Sequence, residues 1–130
     1  MRDLRRGDVV LVAFPFVRAR ELQRKLRPAV VVQADRYNRR RAAVVLAAIT
    51  STRAHRDLPC KVAVAQKTAE GRAGGLRTDS VIDCQTLVTL PVDEIVRRIG
   101  TFPPATIAQI DRALADALGL PASPAGSRGR

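Results

Sequence analysis

The chain has 130 residues, 46% of them apolar, and a mean hydropathy of −0.05. This length suits one domain with a real hydrophobic core. No apolar stretch approaches the ~20 residues that a membrane-spanning helix needs, and the basic start is not followed by the apolar segment of a secretory signal. We therefore expect one cytoplasmic globular domain over residues 1–120, with no membrane partner.

Positive charge is the strongest compositional feature of the chain. It has 23 lysines and arginines against 12 acidic residues, which gives a formal net charge of +11. The excess is concentrated in residues 1–41, where twelve basic side chains stand against four acidic ones. A polyanion is the natural partner of such a segment, and nucleic acid is the commonest polyanion. The alternative is that arginine serves only as a general solubilising residue.

Cysteine and histidine are too few for a disulfide framework or a zinc site. The chain has two cysteines, Cys60 and Cys84, and one histidine, His55. Their spacing matches neither a Cys-x-x-Cys motif nor a usual set of zinc ligands. We expect two reduced, buried thiols, a solvated histidine, and no metal or cofactor.

The first third of the chain alternates apolar runs with basic segments. The β-branched and aromatic residues of Val9–Phe14 predict a strand that is buried on both faces. Residues 17–26 are expected to form a long, mobile loop. Ala29–Gln33 predicts the second strand, and Pro28 is tolerated only near the start of that strand, which places Arg27 at its rim.

The middle of the chain predicts further strands separated by turns and loops. Residues 35–41 predict a basic turn, and the apolar run Ala43–Thr50 predicts a strand. Lys61–Ala65 shows the period-two alternation of another strand. Residues 67–78 are rich in Gly, Ala and Thr and predict a loop, whereas Asp79–Leu90 predicts one strand, or two strands broken by a bend.

The pattern changes to helix near the C-terminus. Asp93–Ile99 predicts a short helical turn, and a longer helix is expected to begin at Pro103-Pro104 and to end at Gly119. Residues 121–130 are expected to be a disordered basic tail. The longer helix carries one apolar stripe, formed by Ile107, Ile110, Leu114 and Leu118. These elements predict an α+β, mostly β fold, most simply a small open barrel with the C-terminal helix packed on it.

Five segments stand in an informative order along residues 5–120. They are Arg6–Val10, Leu26–Val32, Ala48–Ser51, Gly75–Ile82 and the end from Ile99 to Leu118. In this order the chain resembles the MazF/PemK/Kid family of toxin–antitoxin ribonucleases. The resemblance implies an SH3-like barrel, a homodimer, and metal-independent cleavage of single-stranded RNA. It also implies an antitoxin partner whose acidic, flexible tail lies across the active face.

Arg27 and Thr50 match the catalytic arginine and threonine of that family. RNA carries its own nucleophile, so a protein need only align the 2′-hydroxyl, remove its proton, stabilise the charge on the phosphorane-like oxygens and protonate the leaving oxygen. A guanidinium holds two phosphate oxygens and stays ionised, and the Thr50 hydroxyl can hydrogen-bond a phosphate oxygen or the 2′-hydroxyl. Ser51 can assist. Without the resemblance, Arg27 is an ordinary surface charge and Thr50 a strand-end hydroxyl bonded to backbone.

Substrate binding is expected to rest on the basic loops. Residues that can track the RNA backbone in the first loop are Arg18, Arg20, Arg24 and Lys25. Those in the second are Arg36, Arg39, Arg40 and Arg41. Tyr37, the single tyrosine of the chain, can stack on a base, with Asn38 beside it. Asp79 and Ser80 belong to a family motif, and we interpret them as turn residues.

One predicted strand departs from the family pattern. By simple alignment, an arginine position of some members falls on Asp83 and a carboxylate position falls on Gln85. Gln85 can bind a base edge or a phosphate but cannot shuttle a proton, so the general base stays open. Because of this departure, an alternative to the ribonuclease stays open: the chain is a non-catalytic family member that binds nucleic acid or inhibits DNA gyrase. The tail lacks the apolar anchor on which gyrase inhibition in the related branch depends.

Overall fold

A computed structural model describes residues 3–51 and 56–121. The described strands are β1 (Asp8–Arg18), β2 (Glu21–Val31), β3 (Ala43–Thr50), β4 (Lys61–Val64), β5 (Ser80–Pro91) and β6 (Ile95–Thr101). The described helices are α1 (Asp35–Asn38), α2 (Ala69–Ala73) and α3 (Pro104–Leu118), with a 3-10 turn at Val92–Glu94. The predicted solvated His55 and the predicted disordered tail beyond Pro121 lie outside the described residues.

The six described strands form one antiparallel sheet that buries both of its faces, in the order β4-β5-β3-β2-β1-β6. Val9 and Val10 are both fully buried although they are adjacent, because successive side chains of a strand point to opposite faces. Ile49 and the α3 residue Ile110 belong to the core on one face, and Phe14 belongs to the core on the other. The edge strands β4 and β6 do not pair with each other. The predicted mostly β open barrel is confirmed.

The C-terminal helix α3 agrees with its prediction. It starts at the second proline of Pro103-Pro104 and ends at Gly119, whose φ of +70° gives the left-handed cap that glycine adopts easily. Most of the predicted stripe packs on the sheet, while Leu118 at its end is 56% exposed. None of the helices within the described ranges is long and apolar enough to cross a membrane.

The predicted loop at residues 17–26 is wrong, because this segment forms the far half of a long hairpin. β1 and β2 pair in continuous register from Val9–Val30 to Arg18–Glu21. A two-residue turn joins them, with φ of 53° at Ala19 and 64° at Arg20. Two consecutive positive φ values match a type I′ turn, for which Asn-Gly is the usual sequence. This sequence lacks that signal, and backbone pairing along the hairpin overrides the polar character of its side chains.

The predicted helical turn at Asp93–Ile99 is also mostly wrong. A short 3-10 turn is followed by β6, which pairs with the outer edge of β1. The buried carboxylate of Asp8 helps to hold β6 in place, accepting hydrogen bonds from Arg98 Nη1 at 3.0 Å and from Thr101 Oγ1 at 2.9 Å. Tertiary pairing therefore decides the structure of a segment that is helical by local pattern.

Three other predictions in the middle of the chain need smaller changes. The predicted basic turn at residues 35–41 contains the short helix α1. The predicted loop at residues 67–78 contains the short helix α2, and the Thr68 hydroxyl caps it by accepting a hydrogen bond from Gly71 N at 3.1 Å. The region from residue 79 onward forms the single strand β5, with a bulge opposite Ala47 and Ala48.

Replacing the turn residues Ala19-Arg20 by Asn-Gly should stabilise the outer hairpin. Both residues occupy left-handed backbone conformations that cost a non-glycine residue about 1–2 kcal/mol each, so relief at one or both positions should slow local opening about tenfold. Hydrogen exchange of the outer hairpin amides measures this opening. Arg20→Ala is the matched control, since it removes the charge and keeps the unfavourable φ. Equal exchange in the Asn-Gly variant and the wild type would contradict the assignment of the turn.

Cys84 should resist alkylation in the folded protein. Both cysteines are buried and free, and burial, aided by the Asp83 carboxylate, raises the pKa of the Cys84 thiol to about 12. Only the thiolate is nucleophilic. Treatment with iodoacetamide at mildly alkaline pH, followed by mass spectrometry, should label Cys84 in urea and leave it unlabelled in native protein. Rapid labelling of native Cys84 would mean that this part of the core opens easily.

Candidate active site

A cleft opens where β2 and β3 part. The two strands pair from Val31–Leu46 to Ala29–Ala48, and two residues farther in the same register Arg27 stands opposite Thr50. Pro28 lies at the first position beyond this ladder, and proline has no N–H with which to extend it. The cleft has a volume of about 350 Å³ and is lined by Lys25, Arg27, Pro28, Ile49, Thr50, Ser51, Thr78 and Ser80.

Four of the residues selected from the sequence thus line one cleft. Arg27 and Lys25 supply two cations, and Thr50 and Ser51 supply two hydroxyls. Because side chains alternate along a strand, Lys25 and Arg27 lie on the same face of β2. Fixed cations beside hydroxyl donors are the groups that bind phosphate oxygens, so the cleft is suited to a phosphodiester.

Arg27 has an aromatic neighbour that sequence reasoning missed. Its guanidinium carbon lies 4.9 Å from the ring centroid of Phe16 on β1. A cation over an aromatic face is attracted by the ring quadrupole. The signal that predicts this contact is the hairpin register, in which Phe16 and Arg27 share one face of the paired strands. Interpreting residues 17–26 as a loop hides that register.

Ser80 and Asp79 fix the wall of the cleft opposite β2. Ser80 Oγ donates a hydrogen bond to the Thr78 carbonyl oxygen at 2.9 Å, and Asp79 Oδ1 accepts one from Gln66 N at 2.9 Å. Asp79 comes just before β5 and Ser80 is its first residue, so the prediction that both are turn residues is wrong for Ser80. Ser80 and Thr78 in addition line the cleft, a role that sequence reasoning did not assign to them.

The cleft continues into a larger groove of about 540 Å³. Pro28, Thr78 and Ser80 line both spaces. The groove has many apolar residues in its lining, but Arg77 and Arg97 also line it. Neither arginine was selected from the sequence, and for Arg97 the reason is that β6 and its pairing with β1 were not predicted. The cleft and the groove together form a channel that is lined by positively charged side chains along its length.

The other basic residues of the hairpin are distributed over its two faces and its tip. Arg18 ends β1, and Arg20 occupies the turn. By strand alternation, Arg24 lies on the face opposite to Arg27, and its Nη1 is 3.5 Å from Glu94 Oε1. Exposed ion pairs of this kind are weak, so Arg24 can still bind an anion. It would do so on the face of the hairpin opposite to Arg27.

Gln85 does not line the cleft. It is exposed in the bulge of β5, where Asp83 Oδ1 accepts a hydrogen bond from Gln85 N at 3.0 Å and Asp83 Oδ2 accepts one from Thr86 Oγ1 at 2.9 Å. Asp83 is also 3.7 Å from Lys61 Nζ. The carboxylate at this departure from the family pattern therefore shapes the bulge, and the structure does not support substrate contact by Gln85 within the cleft.

Tyr37 and Asn38 lie far from the cleft. They belong to α1, near the start of β3, whereas Thr50 is at its end, and seven strand residues span roughly 23 Å. The Asn38 side chain is buried, and its Nδ2 donates to the Gln33 carbonyl oxygen at 2.9 Å and to Asp35 Oδ1 at 3.1 Å. Asn38 therefore holds the backbone after β2, and the structure does not support its predicted substrate contact. Tyr37 is 47% exposed.

The residues of the cleft favour an anion over a metal ion. Within the described ranges, no group of three His, Cys, Asp or Glu side chains lies close enough together to hold a metal. The described residues that line the cleft include no carboxylate and no histidine. The prediction that no metal is required stays a prediction.

The sequence is similar to a described protein family and to named endoribonucleases. A family described as PemK-like, MazF-like toxin of type II toxin–antitoxin system matches residues 5–118. Endoribonuclease MazF2 of Mycobacterium bovis is 36% identical over 97 residues, which cover 74% of this chain and 81% of the relative. Endoribonuclease MazF of Staphylococcus epidermidis is 31% identical over 117 residues, which cover 90% of this chain and 92% of the relative.

Solved structures agree with these relatives. An endoribonuclease from a mycobacterial species, solved in complex with its cognate antitoxin, is 30% identical, with a TM-score of 0.72 over 92% of this chain and 99% of that chain. MazF from Deinococcus radiodurans, at 19% identity, has a TM-score of 0.70 over 92% of this chain and 100% of that chain, a likeness of fold alone. The resemblance inferred from the five segments is confirmed, and the chain belongs to the PemK-like, MazF-like toxin family of type II toxin–antitoxin systems.

Proposed function

We propose that this protein is the toxin of a toxin–antitoxin system and that it is a sequence-selective endoribonuclease acting on single-stranded RNA. The observation that carries the proposal is the cleft shared by Arg27 and Thr50. Its support is the family match together with relatives that are named endoribonucleases. Cellular mRNA is the natural substrate class, which places the activity in the cytoplasm.

The proposed reaction uses the nucleophile that RNA itself carries. The 2′-hydroxyl attacks the adjacent phosphorus, the bond to the 5′-oxygen breaks, and the products are a 2′,3′-cyclic phosphate and a 5′-hydroxyl end. Arg27 stabilises the charge that develops on the non-bridging oxygens, because a preorganised cation acts most strongly where charge accumulates. Thr50 and Ser51 orient the phosphate or the 2′-hydroxyl, and Lys25 adds a second positive charge.

Alignment and charge stabilisation are the main contributions of the described cleft residues. None of those residues is a carboxylate or a histidine, and a threonine hydroxyl has too high a pKa to remove a proton unaided. The described cleft side chains therefore include no ready acceptor for the 2′-proton. Holding reacting groups in line and neutralising the phosphorane charge each accelerate a reaction substantially.

The proposed partners are a second copy of the chain and an acidic antitoxin. One solved relative is an endoribonuclease in complex with its cognate antitoxin. The net charge of +11 favours an acidic protein segment as well as RNA. The channel formed by the cleft and the groove combines apolar residues with arginines, so it suits a segment that combines carboxylates with apolar side chains.

Changing Arg27 to Ala should abolish most of the cleavage while leaving the fold intact. Loss of one group that stabilises transition-state charge costs about 10²–10³ in kcat, and Thr50→Val should cost about tenfold through the missing hydrogen bond. The measurement is cleavage of a long unstructured RNA in EDTA, with analysis of the product ends. Arg112→Ala, an exposed arginine on α3, is the control that removes equal charge.

Three results would contradict the proposed function. One is the absence of cleavage on several long RNAs by the folded wild-type protein. Another is a requirement for a metal ion. The third is full activity of Arg27→Ala. Recovery of gyrase in a pull-down, together with absent RNA cleavage, would instead support the non-catalytic alternative that the departure at Asp83 and Gln85 keeps open.

Phe16 should act as a positioning residue for Arg27. Phe16→Leu keeps an apolar side chain and removes the ring that lies 4.9 Å from the guanidinium. A cation–π contact contributes about 0.5–2 kcal/mol, so kcat should fall between about twofold and 30-fold with KM nearly unchanged. Phe16→Tyr retains the ring and should retain activity.

A double-mutant cycle separates this role from general packing. In the Arg27→Lys background, which has a different cation in place of the guanidinium, Phe16→Leu should cost less than it does in the wild type. Equal losses in the two backgrounds, or equal losses for Phe16→Leu and Phe16→Tyr, would show that Phe16 does not act through Arg27.

A further inference from the structure

We propose that the exposed surface of α1 and the following turn is a second RNA-binding site, separate from the cleft; this rests on the proposed RNA substrate. We name this surface the α1 basic face, and it consists of Arg36, Tyr37, Arg39, Arg40 and Arg41. All five residues are exposed. The site would take single-stranded RNA through phosphate contacts and base stacking.

The α1 basic face is too far from the cleft to hold the scissile phosphate. It adjoins the start of β3, since Gln33 Nε2 links Asn38 Oδ1 and the Ala43 carbonyl oxygen, each at 2.9 Å. The Arg27–Thr50 cleft is at the other end of β3, roughly 23 Å away along the strand. An RNA that touches both places must therefore be long, and a short one that fills the cleft leaves the second site empty.

Positive charge outweighs negative charge on the α1 basic face. Four arginines stand close together in the sequence with one carboxylate, Asp35. Asp35 Oδ1 accepts a hydrogen bond from Arg6 N at 2.7 Å, which holds the pKa of Asp35 below its usual value, and nearby Arg39 also favours the ionised carboxylate. Arg41 is paired with Asp3 at 2.9 Å. Arg36, Arg39 and Arg40 are exposed, and these three arginines outnumber the one remaining carboxylate, Asp35.

An aromatic platform distinguishes this surface from a purely electrostatic patch. The Arg36 guanidinium carbon lies 4.9 Å from the centroid of the Tyr37 ring, and Tyr37 is 47% exposed. Exposed aromatic rings with adjacent arginines are the groups on which bases of single-stranded nucleic acids stack. An acidic protein segment would use the arginines without needing the ring, so the combination favours RNA over the antitoxin.

The platform is held in place from below. The buried Asn38 hydrogen-bonds the Gln33 carbonyl oxygen and Asp35 Oδ1, and Asp35 in turn receives Arg6 N. These bonds fix the backbone that presents Tyr37 and the arginines, so less conformational entropy is lost when an anion binds. The role of Asn38 is thus to shape this surface, without contact to RNA.

The test compares a short oligonucleotide that covers only the cleavage sequence with a long unstructured RNA that contains it. Arg36→Ala/Arg40→Ala should lower kcat/KM on the long RNA about tenfold and leave the short substrate unchanged. Tyr37→Ala should also affect only the long RNA, because the variant has no ring on which a base can stack, and Tyr37→Phe should behave as wild type. The matched control, Arg72→Ala/Arg112→Ala, removes equal charge from exposed positions of α2 and α3.

Binding in the Arg27→Ala background keeps this test independent of cleavage. The logarithm of the affinity for long RNA should fall less steeply with the logarithm of the salt concentration in the Arg36→Ala/Arg40→Ala variant. The slope should decrease by roughly 0.7 for each phosphate that the variant no longer neutralises. If the wild type cleaves no RNA yet this binding difference appears, the proposed function fails and the second site stands.

Three outcomes would overturn the second site. One is an equal loss on short and long RNA, and another is an equal loss in the Arg72→Ala/Arg112→Ala control. The third is reduced affinity for the antitoxin with unchanged behaviour toward long RNA, which would make the α1 basic face a protein-docking surface.

Discussion

The parting of β2 from β3 is the constraint on which the candidate site depends. The ladder between these strands ends at Ala29 and Ala48, and Pro28 supplies no N–H beyond it. Arg27 and Thr50 therefore stay opposite each other without their strands closing together, and the space between them is open to a ligand. A residue with an N–H at position 28 would remove one obstacle to a longer ladder, and a longer ladder would fill the cleft with backbone.

The remainder of the fold supports this opening from both sides. β1 pairs with β2 from Glu21 to Val30 and carries Phe16 to the Arg27 guanidinium. On the other side, Thr78 and Ser80 form the opposite wall, held by the Ser80 hydroxyl on the Thr78 carbonyl. Two cores, one on each face of the sheet, keep these strands in fixed register. The polar site is thus formed by the ends of strands, and the central residues of the same strands are apolar and close-packed.

Local patterns in the sequence predict the elements whose apolar residues form the core. The run Val9–Phe14 and the stripe of α3 both identify their elements, because burial requires continuous or periodic apolar residues there. The outer hairpin and β6 are not predicted, because they lack such an apolar pattern. The outer hairpin is stabilised by backbone pairing between polar strands whose turn lacks the usual sequence signal. β6 is stabilised by pairing with β1 and by contacts such as Asp8 with Arg98, and no local pattern encodes a partner so distant in the chain.

The same distinction applies to the candidate site. Arg27 and Thr50 are identifiable through their motifs, and the register of β2 and β3 explains why residues 23 positions apart meet. Phe16 and Arg97 depend on pairings that were not predicted, so no signal from the sequence alone selects them. Asn38 illustrates the converse, since a polar residue in a basic segment suggests a ligand contact, whereas Asn38 is buried and donates to the Gln33 carbonyl oxygen and to the Asp35 carboxylate.

The open barrel also has a consequence for contacts between copies of the chain. The edge strands β4 and β6 each have one edge with no neighbour within the described part of the sheet, and another chain can pair with such an open edge. β4 is only four residues long. β6 carries the adjacent arginines Arg97 and Arg98, so like charges would meet if the open edges of two β6 strands paired. Sheet extension from one molecule to the next is thereby discouraged at these two edges.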